Sequence, residues 1–283
     1  MANDSYTLDP ALPVLLRPDG VVQVGWDPRR AVLVQPPRGL TPAALATVLR
    51  SMQIPTTITA LRGEAARHGP VDTAELDDLL AALVAARVAV RSHVTGRRCR
   101  TVSLRVHGRG PLSDLLVESL RCSSAVVRRS SHPHAAVRHT GTDLVVLSDY
   151  LVTDPRLVRE LHAERVPHLP VRVRDGTGII GPLVLPGVTS CLGCADLHRR
   201  DRDSAWPAVA AQLRHTVTHA DRATILATVA LALSQIEQVI VAVRGAAEPD
   251  TTAPATLNAT LEVELATGSI VTRRWVRHPL CSC

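Results

Sequence analysis

Two short cysteine pairs, Cys191-Leu192-Gly193-Cys194 and the terminal Cys281-Ser282-Cys283, constrain this chain more than any other feature. Each pair can chelate from one turn, and a fold that joins the turns supplies the four thiolates of a tetrahedral zinc site. Four protein ligands leave no open coordination position, so the expected Zn2+ is structural and ties the C-terminus to its domain. The alternatives are four unliganded thiols or a disulfide in a secreted protein. Zinc is favoured because paired cysteines in a chain without a secretory signal usually bind metal. The polar stretch Met1–Pro10 carries acids and no such signal, which makes the cytoplasm the expected location. Cys99 and Cys122 are expected to be buried, inert thiols.

At 283 residues, with 46% hydrophobic and 20% charged residues, the chain is globular and long enough for two domains with real cores. Its longest apolar stretch, Ala223 to Val243, is interrupted by Ser234, Gln235, Glu237 and Gln238, too polar a pattern for a membrane span. All 32 basic residues are arginines, so no step can use a lysine ammonium. The net charge of +6 favours an acidic partner. Only 2% of residues are aromatic, which leaves little for base stacking, so an acidic peptide is a better candidate than nucleic acid.

Turn chemistry at Arg17-Pro18-Asp19-Gly20 and Gly25-Trp26-Asp27-Pro28-Arg29-Arg30 separates Leu15-Leu16, Val21–Val24 and Ala31–Val34 into a predicted β-meander. Three helices come next. Thr41-Pro42 supplies a cap and a first-turn proline, with Leu45, Val48, Leu49 and Met52 on one face. A short helix is expected over Thr57 to His68. The third opens with Asp72 and Glu75 in capping-box spacing and carries Leu76, Leu79, Leu80, Leu83 and Val84. Val88–Val90 can return as a strand, giving a winged-helix-like module over residues 1–95, with a second domain over 96–283.

That second domain opens with alternating Val102, Leu104 and Val106, a turn at Gly108-Arg109-Gly110-Pro111, and Leu112, Leu115, Leu116 and Leu120 at helical spacing. Strand, glycine turn and helix begin a Rossmann-like α/β domain. Ala125–Arg129 and Asp143–Leu147 read as parallel strands, and Pro155–Glu164 as a helix. Further strands are expected around Asp175-Gly176 and in a hairpin over Leu257–Leu265 and Ser269–Val276. Helices are expected from Trp206-Pro207 and from Ala220 onward.

The nucleotide signature is incomplete. Gly108 and Gly110 are present, but Ser113 stands in the place of the third glycine. Where an acid should accept from ribose hydroxyls there are Arg128 and Arg129, which have no acceptor. These glycines therefore read as a vestigial nucleotide site. Asp149, after a predicted strand, could ligate magnesium or, like Asp154, cap a helix. The histidines between His132 and His168 show no metal-ligand spacing and are expected to be solvated or locally capped.

The run Cys191-Leu192-Gly193-Cys194-Ala195-Asp196-Leu197-His198-Arg199-Arg200-Asp201-Arg202-Asp203, with Trp206-Pro207 and Gln212-Leu213 after it, resembles the ThiF-like proteins of thiazole/oxazole-modified peptide biosynthesis. Gly181-Pro182-Leu183-Val184 and Pro186-Gly187 resemble that family's lead-in. The resemblance covers about residues 100 to 283, and residues 10 to 90 look like the peptide-recognition winged helix that family members carry. It implies a partner of a YcaO cyclodehydratase that binds a precursor's leader rather than adenylating it. ThiF-like adenylating enzymes use a third glycine, a ribose acid and a lysine, all missing here, so ATP is not expected as a cofactor. An active ATP-dependent adenylyltransferase is the alternative reading.

In the leading reading an extended leader adds a strand to the edge of the meander, at Val22 and Val24 or at Val32 and Val34. Leu76 and Leu80 on the facing helix line its pockets, and Arg29, Arg30 and Arg38 meet acidic leader residues. The implied partners are the leader and the cyclodehydratase, with a homodimer as an assembly to test. A winged-helix DNA-binding regulator is disfavoured, because the helix from Asp72 to Ala86 is acidic and would repel phosphate.

Overall fold

The computed structural model describes residues 4–93, 100–123, 125–131, 141–217, 219–245 and 253–283. The chain divides into two compact units, Met1–Arg98 and Cys99–Cys283.

The first unit opens with a strand that the polar N-terminus does not advertise. β1 (Asp4–Leu8) buries Tyr6 and Leu8. The meander is next, as β2 (Val14–Leu16), β3 (Val22–Val24) and β4 (Val32–Val34), antiparallel in the order β2-β3-β4. α1 (Pro42–Ser51) is capped by the Thr41 hydroxyl, which accepts from Ala44 N at 3.2 Å, and Leu45, Val48, Leu49 and Met52 are fully buried as their spacing predicts. Then come β5 (Thr56–Thr57), α2 (Ile58–Ala66), α3 (Thr73–Ala85) and β6 (Ala89–His93). β1 pairs antiparallel with both β5 and β6, which closes the unit around one hydrophobic core.

Asp72 caps α3, accepting from Ala74 N at 2.9 Å and Glu75 N at 3.4 Å. The expected capping box is not closed. The Glu75 carboxylate instead accepts the Arg38 backbone N–H at 2.7 Å and pairs with its guanidinium at 3.2 Å, so the chain leaving β4 is tied to α3. Gly39, next in line, has φ +86°, and a Cβ there would run into the Pro70 carbonyl. Gly39→Ala is therefore expected to cost roughly 2–4 kcal/mol, read as a lower urea midpoint of the first unit's transition.

The second unit is a seven-stranded mixed sheet in the order β13-β12-β11-β10-β9-β7-β8. β7 (Val102–His107) is followed by α4 (Pro111–Leu120) and β8 (Ala125–Ser130), and β9 (Leu144–Ser148) by α5 (Pro155–Ala163) and β10 (His168–Arg174). These four strands run parallel, and the chain reverses its direction of growth between β7 and β9. β11 (Thr177–Ile180) turns back from β10. α6 (Leu192–Arg202), α7 (Trp206–Leu213) and α8 (Arg222–Val243) precede the closing hairpin β12 (Ala259–Glu264) and β13 (Ser269–Arg274).

β9 shows why its sequence is apolar throughout. Leu144 and Val146 join the core under α4 and α8, while Val145 and Leu147 join a second cluster with α5 and α6. α8 is long and apolar enough to cross a membrane by length and composition. Here it packs Ile225, Val229, Ile236 and Ile240 into the sheet's core. α6 begins directly at the first cysteine pair, where the polar run His198–Ser204 obscures a helix.

Candidate functional site

Open α/β sheets bind ligands outside the carboxyl ends of their strands, where the strand order reverses. Here that place lies after β7 and β9, at Gly108–Gly110 and Ser148–Asp149. Asp149 is 2% exposed with φ +70°, and its carboxylate turns onto the start of α4. Oδ1 accepts from Leu112 N at 3.0 Å and Oδ2 from Ser113 N at 3.3 Å. Ser113, in place of the third glycine, accepts from Gly110 N at 3.1 Å through its hydroxyl. Pro111 has no N–H. The donors that a helix N-terminus would offer to phosphate are thus engaged from within. Burial raises the Asp149 pKa, against the opposing pull of the bonds from Ser113 and Leu112.

The glycines also face Asp149. A Cβ on Gly108 would lie 2.8 Å from Oδ2, and one on Gly110 2.7 Å from Oδ1. Their lack of a side chain admits the protein's own carboxylate. Arg129, at the ribose-acid position, pairs with Asp114. Asp154 caps α5, accepting from Arg156 N at 2.8 Å.

Beside this turn is a cavity of about 260 Å³ lined by His107, Arg109, Ser148, Tyr150, Arg214 and His215, among others. Burial, reinforced by the Arg105 charge, lowers the His107 pKa to about 4. His168, expected to be solvated, is fully buried, and burial lowers it to about 4 as well. Both rings stay neutral in the fold but titrate near 6.5 when unfolded. Between pH 6.5 and 4 the unfolded chain therefore takes up protons that the fold refuses. Their contribution to stability is complete above pH 6.5 and lost as pH falls to about 4, together roughly 7 kcal/mol. Urea midpoints should fall across this window, and less steeply for His168→Met. His132, His134 and His139 lie outside the described residues.

The four paired cysteines converge. Cys191 and Cys194 are buried, and Cys281 and Cys283 half-buried. Sγ–Sγ separations are 3.7 Å for Cys191–Cys194, 3.5 Å for Cys191–Cys281 and 3.4 Å for Cys194–Cys283, with all four within 4.8 Å of one another. Sulfurs about 2.3 Å from one zinc would sit roughly 3.8 Å apart at tetrahedral corners, whereas a disulfide needs about 2.05 Å. The set can hold a metal ion and is compatible with zinc.

Local structure prepares this cluster. Cys191 is the N-cap of α6, its Sγ accepting from Cys194 N at 3.4 Å. Burial pushes the Cys191 thiol up, and the neighbouring Cys281 and Cys283 thiols add to this, whereas at Cys194 the hydrogen bonds with His278 and Cys191 outweigh burial and lower the thiol to about 7. The terminal segment is anchored by His278, which is 5% exposed. Its Nε2 lies 2.7 Å from Asp201 Oδ2, and its Nδ1 accepts from Leu280 N at 3.1 Å. Cys122 is exposed, against the expectation of burial, because it comes after the last turn of α4, and Cys99 lies outside the described residues.

In the first unit the expected peptide-contacting residues separate into two groups. Val22 and Val24 are fully buried on the central strand β3, whose two edges are taken by β2 and β4. Leu76 and Leu80 are fully buried in the core beneath α3. None of these four can receive a peptide, because packing the meander against the helices uses them. β4 is an outer strand, with Val32 half-buried, Val34 buried and Leu33 57% exposed. Arg29 and Arg30 are exposed in the turn before it.

No family model matches the chain, and no curated protein matches it. Solved structures do. A heterocyclase in complex with substrate and cofactor aligns with TM-score 0.68 at 14% identity, over 98% of this chain and 39% of that one. The heterocyclase TruD aligns with TM-score 0.67 at 16% identity, over 99% of this chain and 42% of its own. E. coli MccB with ATP aligns with TM-score 0.59 at 13% identity, over 98% of this chain and 99% of its own. The chain thus spans about two-fifths of the heterocyclases and nearly all of MccB. At these identities the likeness establishes a shared fold.

Proposed function

We propose that this protein binds the leader of a ribosomally made precursor peptide through its first unit and presents it to a separate YcaO-type cyclodehydratase for azoline and azole formation. It acts in the cytoplasm, where its four paired thiols stay reduced and hold a structural zinc. The second unit is a non-adenylating scaffold.

The observation that carries this reading is the outer edge of β4, which pairs with no strand among the described residues, beside the exposed Arg29 and Arg30 and with its outgoing chain fastened to α3 through Arg38 and Glu75. A strand edge with unpaired backbone groups is where an extended peptide adds, and flanking cations favour an acidic one. Val32, Val34 and the adjoining turn take over the roles expected also of Val22 and Val24. The fold shared with two heterocyclases supports a place in peptide modification. The Asp149 carboxylate on α4 argues against the adenylating alternative, since a nucleotide phosphate would have to displace it.

The test is fluorescence anisotropy of the full-length, zinc-loaded protein with labelled leader and core segments of a precursor encoded beside its gene. Saturable leader binding that ignores ATP supports the carrier role. No binding rejects it for that peptide, and ATP–pyrophosphate exchange by the pure protein would establish adenylation instead.

A further inference from the structure

The second unit carries a cleft of about 550 Å³ built from β10, α6, α7 and the closing hairpin, and leader binding at β4 makes no use of it. At its base is Arg172, 8% exposed. Its Nη1 donates to the Leu151 carbonyl at 2.9 Å, and it makes no ion pair among the described residues. The neighbouring arginines differ. Arg174 and Arg273 share Glu262 at 3.5 and 2.7 Å, and Arg199 holds Asp196 at 2.9 Å. A buried cation without an ion-pair partner is costly unless something supplies the charge. Burial and the charge of Arg199 lower the Arg172 pKa to about 10, against the pull of the Asp196 charge that Arg199 already holds, so it stays cationic at neutral pH.

The walls are fixed and aromatic. The Arg199 guanidinium lies 5.0 Å from the Trp206 ring centre and 5.5 Å from that of Trp275. Trp206 Nε1 donates to Asp196 at 3.2 Å, and Trp275 Nε1 to Thr260 at 3.1 Å, so neither indole is free to swing away. Five guanidinium groups (Arg172, Arg174, Arg199, Arg202 and Arg273) line the cleft with Asp175, Asp203 and Glu262, and Asp196 neutralises Arg199 from behind the wall. That balance leaves room for one negative charge and disfavours a dianionic phosphate. A planar guanidinium fork matches a carboxylate, and the cleft is large enough to hold the group that bears it.

We infer that this cleft recognises a single carboxylate carried on a peptide, an acidic side chain or the chain terminus, with Arg172 taking the carboxylate and Trp206 and Trp275 flanking the residue that bears it. The cleft stands on the second unit alone, and only the peptide carrier rests on the proposed function.

Intrinsic fluorescence of the full chain reads it out, because Trp26 in the first unit is the third indole and Trp26→Tyr leaves emission to the cleft pair. The probes are an amide-capped pentapeptide with one central Glu, its Gln twin, and an acid-free peptide with a free C-terminus. Saturable quenching by the Glu peptide or by the free terminus, each identifying its source, is expected, with the Gln twin at least tenfold weaker. Arg172→Met should abolish the effect without lowering the melting temperature, since it removes a buried charge that makes no ion pair among the described residues. If that variant fails to fold, Arg172→Lys keeps the charge, loses the fork and should bind at least tenfold more weakly. Saturable quenching of equal strength by the Glu and Gln peptides, no response to any peptide, or unchanged binding by the Arg172 variant overturns the inference. Leader anisotropy in the same variants should be unaltered if only the cleft reading fails, which separates it from failure of the leader reading.

Discussion

Cys191→Ala is expected to reduce bound zinc from about one per chain to near zero and to lower the melting temperature of the second unit by roughly 10 °C or more. Two losses coincide there. The thiolate leaves the metal, and α6 loses the cap that accepts from Cys194 N. The terminal segment, held by Cys281 and Cys283 on one side and His278 with Asp201 on the other, loses half of its attachment. Structural zinc contributes directly to folding free energy, because the unfolded chain has no preformed site. A strong chelator should reproduce the shift in the unsubstituted protein. Cys122→Ala, which removes an exposed thiol, should change neither metal content nor melting. Unchanged metal content and melting in Cys191→Ala would show that the four thiols are not a zinc site.

The second large effect is expected at β4. Successive residues of an antiparallel strand direct their backbone N–H groups to opposite sides. Of Val32→Pro and Leu33→Pro, one therefore removes a donor from the ladder with β3, and the other removes one from the free edge. The first variant should destabilise the unit, while the second should fold and bind leader about thirtyfold more weakly, or roughly 2 kcal/mol. Val22→Ala, a cavity on the central strand, should lower stability and spare affinity in the folded fraction. If both proline variants fold and bind leader as the unsubstituted protein does, the peptide does not add to β4. Arg29→Glu with Arg30→Glu should weaken binding of an acidic leader and flatten its dependence on salt.

Much of the local structure is legible in the sequence. The 3.6-residue spacing of Leu45, Val48, Leu49 and Met52 describes the buried face of α1, and Thr41 and Asp72 cap the helices they precede. Alternation in Val102, Leu104 and Val106 marks β7, and the continuous run before Asp149 marks a strand buried on both faces. Two elements escape. β1 lies in a stretch whose polar residues are buried by pairing with β5 and β6, which composition does not reveal. α6 is rich in Asp and Arg, so its helical period carries no apolar stripe.

Sites divide along a different line. The cysteine set is readable because two short spacings each make a chelating turn, and only their meeting needs the fold. Val22, Val24, Leu76 and Leu80 are misplaced by sequence because an apolar residue on a strand or helix can face a partner or the core. Strand order alone shows that β3 is central. Asp149 reads as a metal ligand or as the cap of a helix downstream of it. Instead it caps α4, reaching back thirty-six residues to the Ser113 N–H. Arg172 carries no signal, since nothing in the sequence separates one basic residue from the other members of a set of 32. By itself the sequence determined periodicity, caps and chelating turns, because those interactions span a few residues. The tertiary structure decided which strand lies at the sheet's edge, which carboxylate filled the helix start and which arginine is buried without an ion pair among the described residues, because these depend on strand order and crossovers that bring distant residues together.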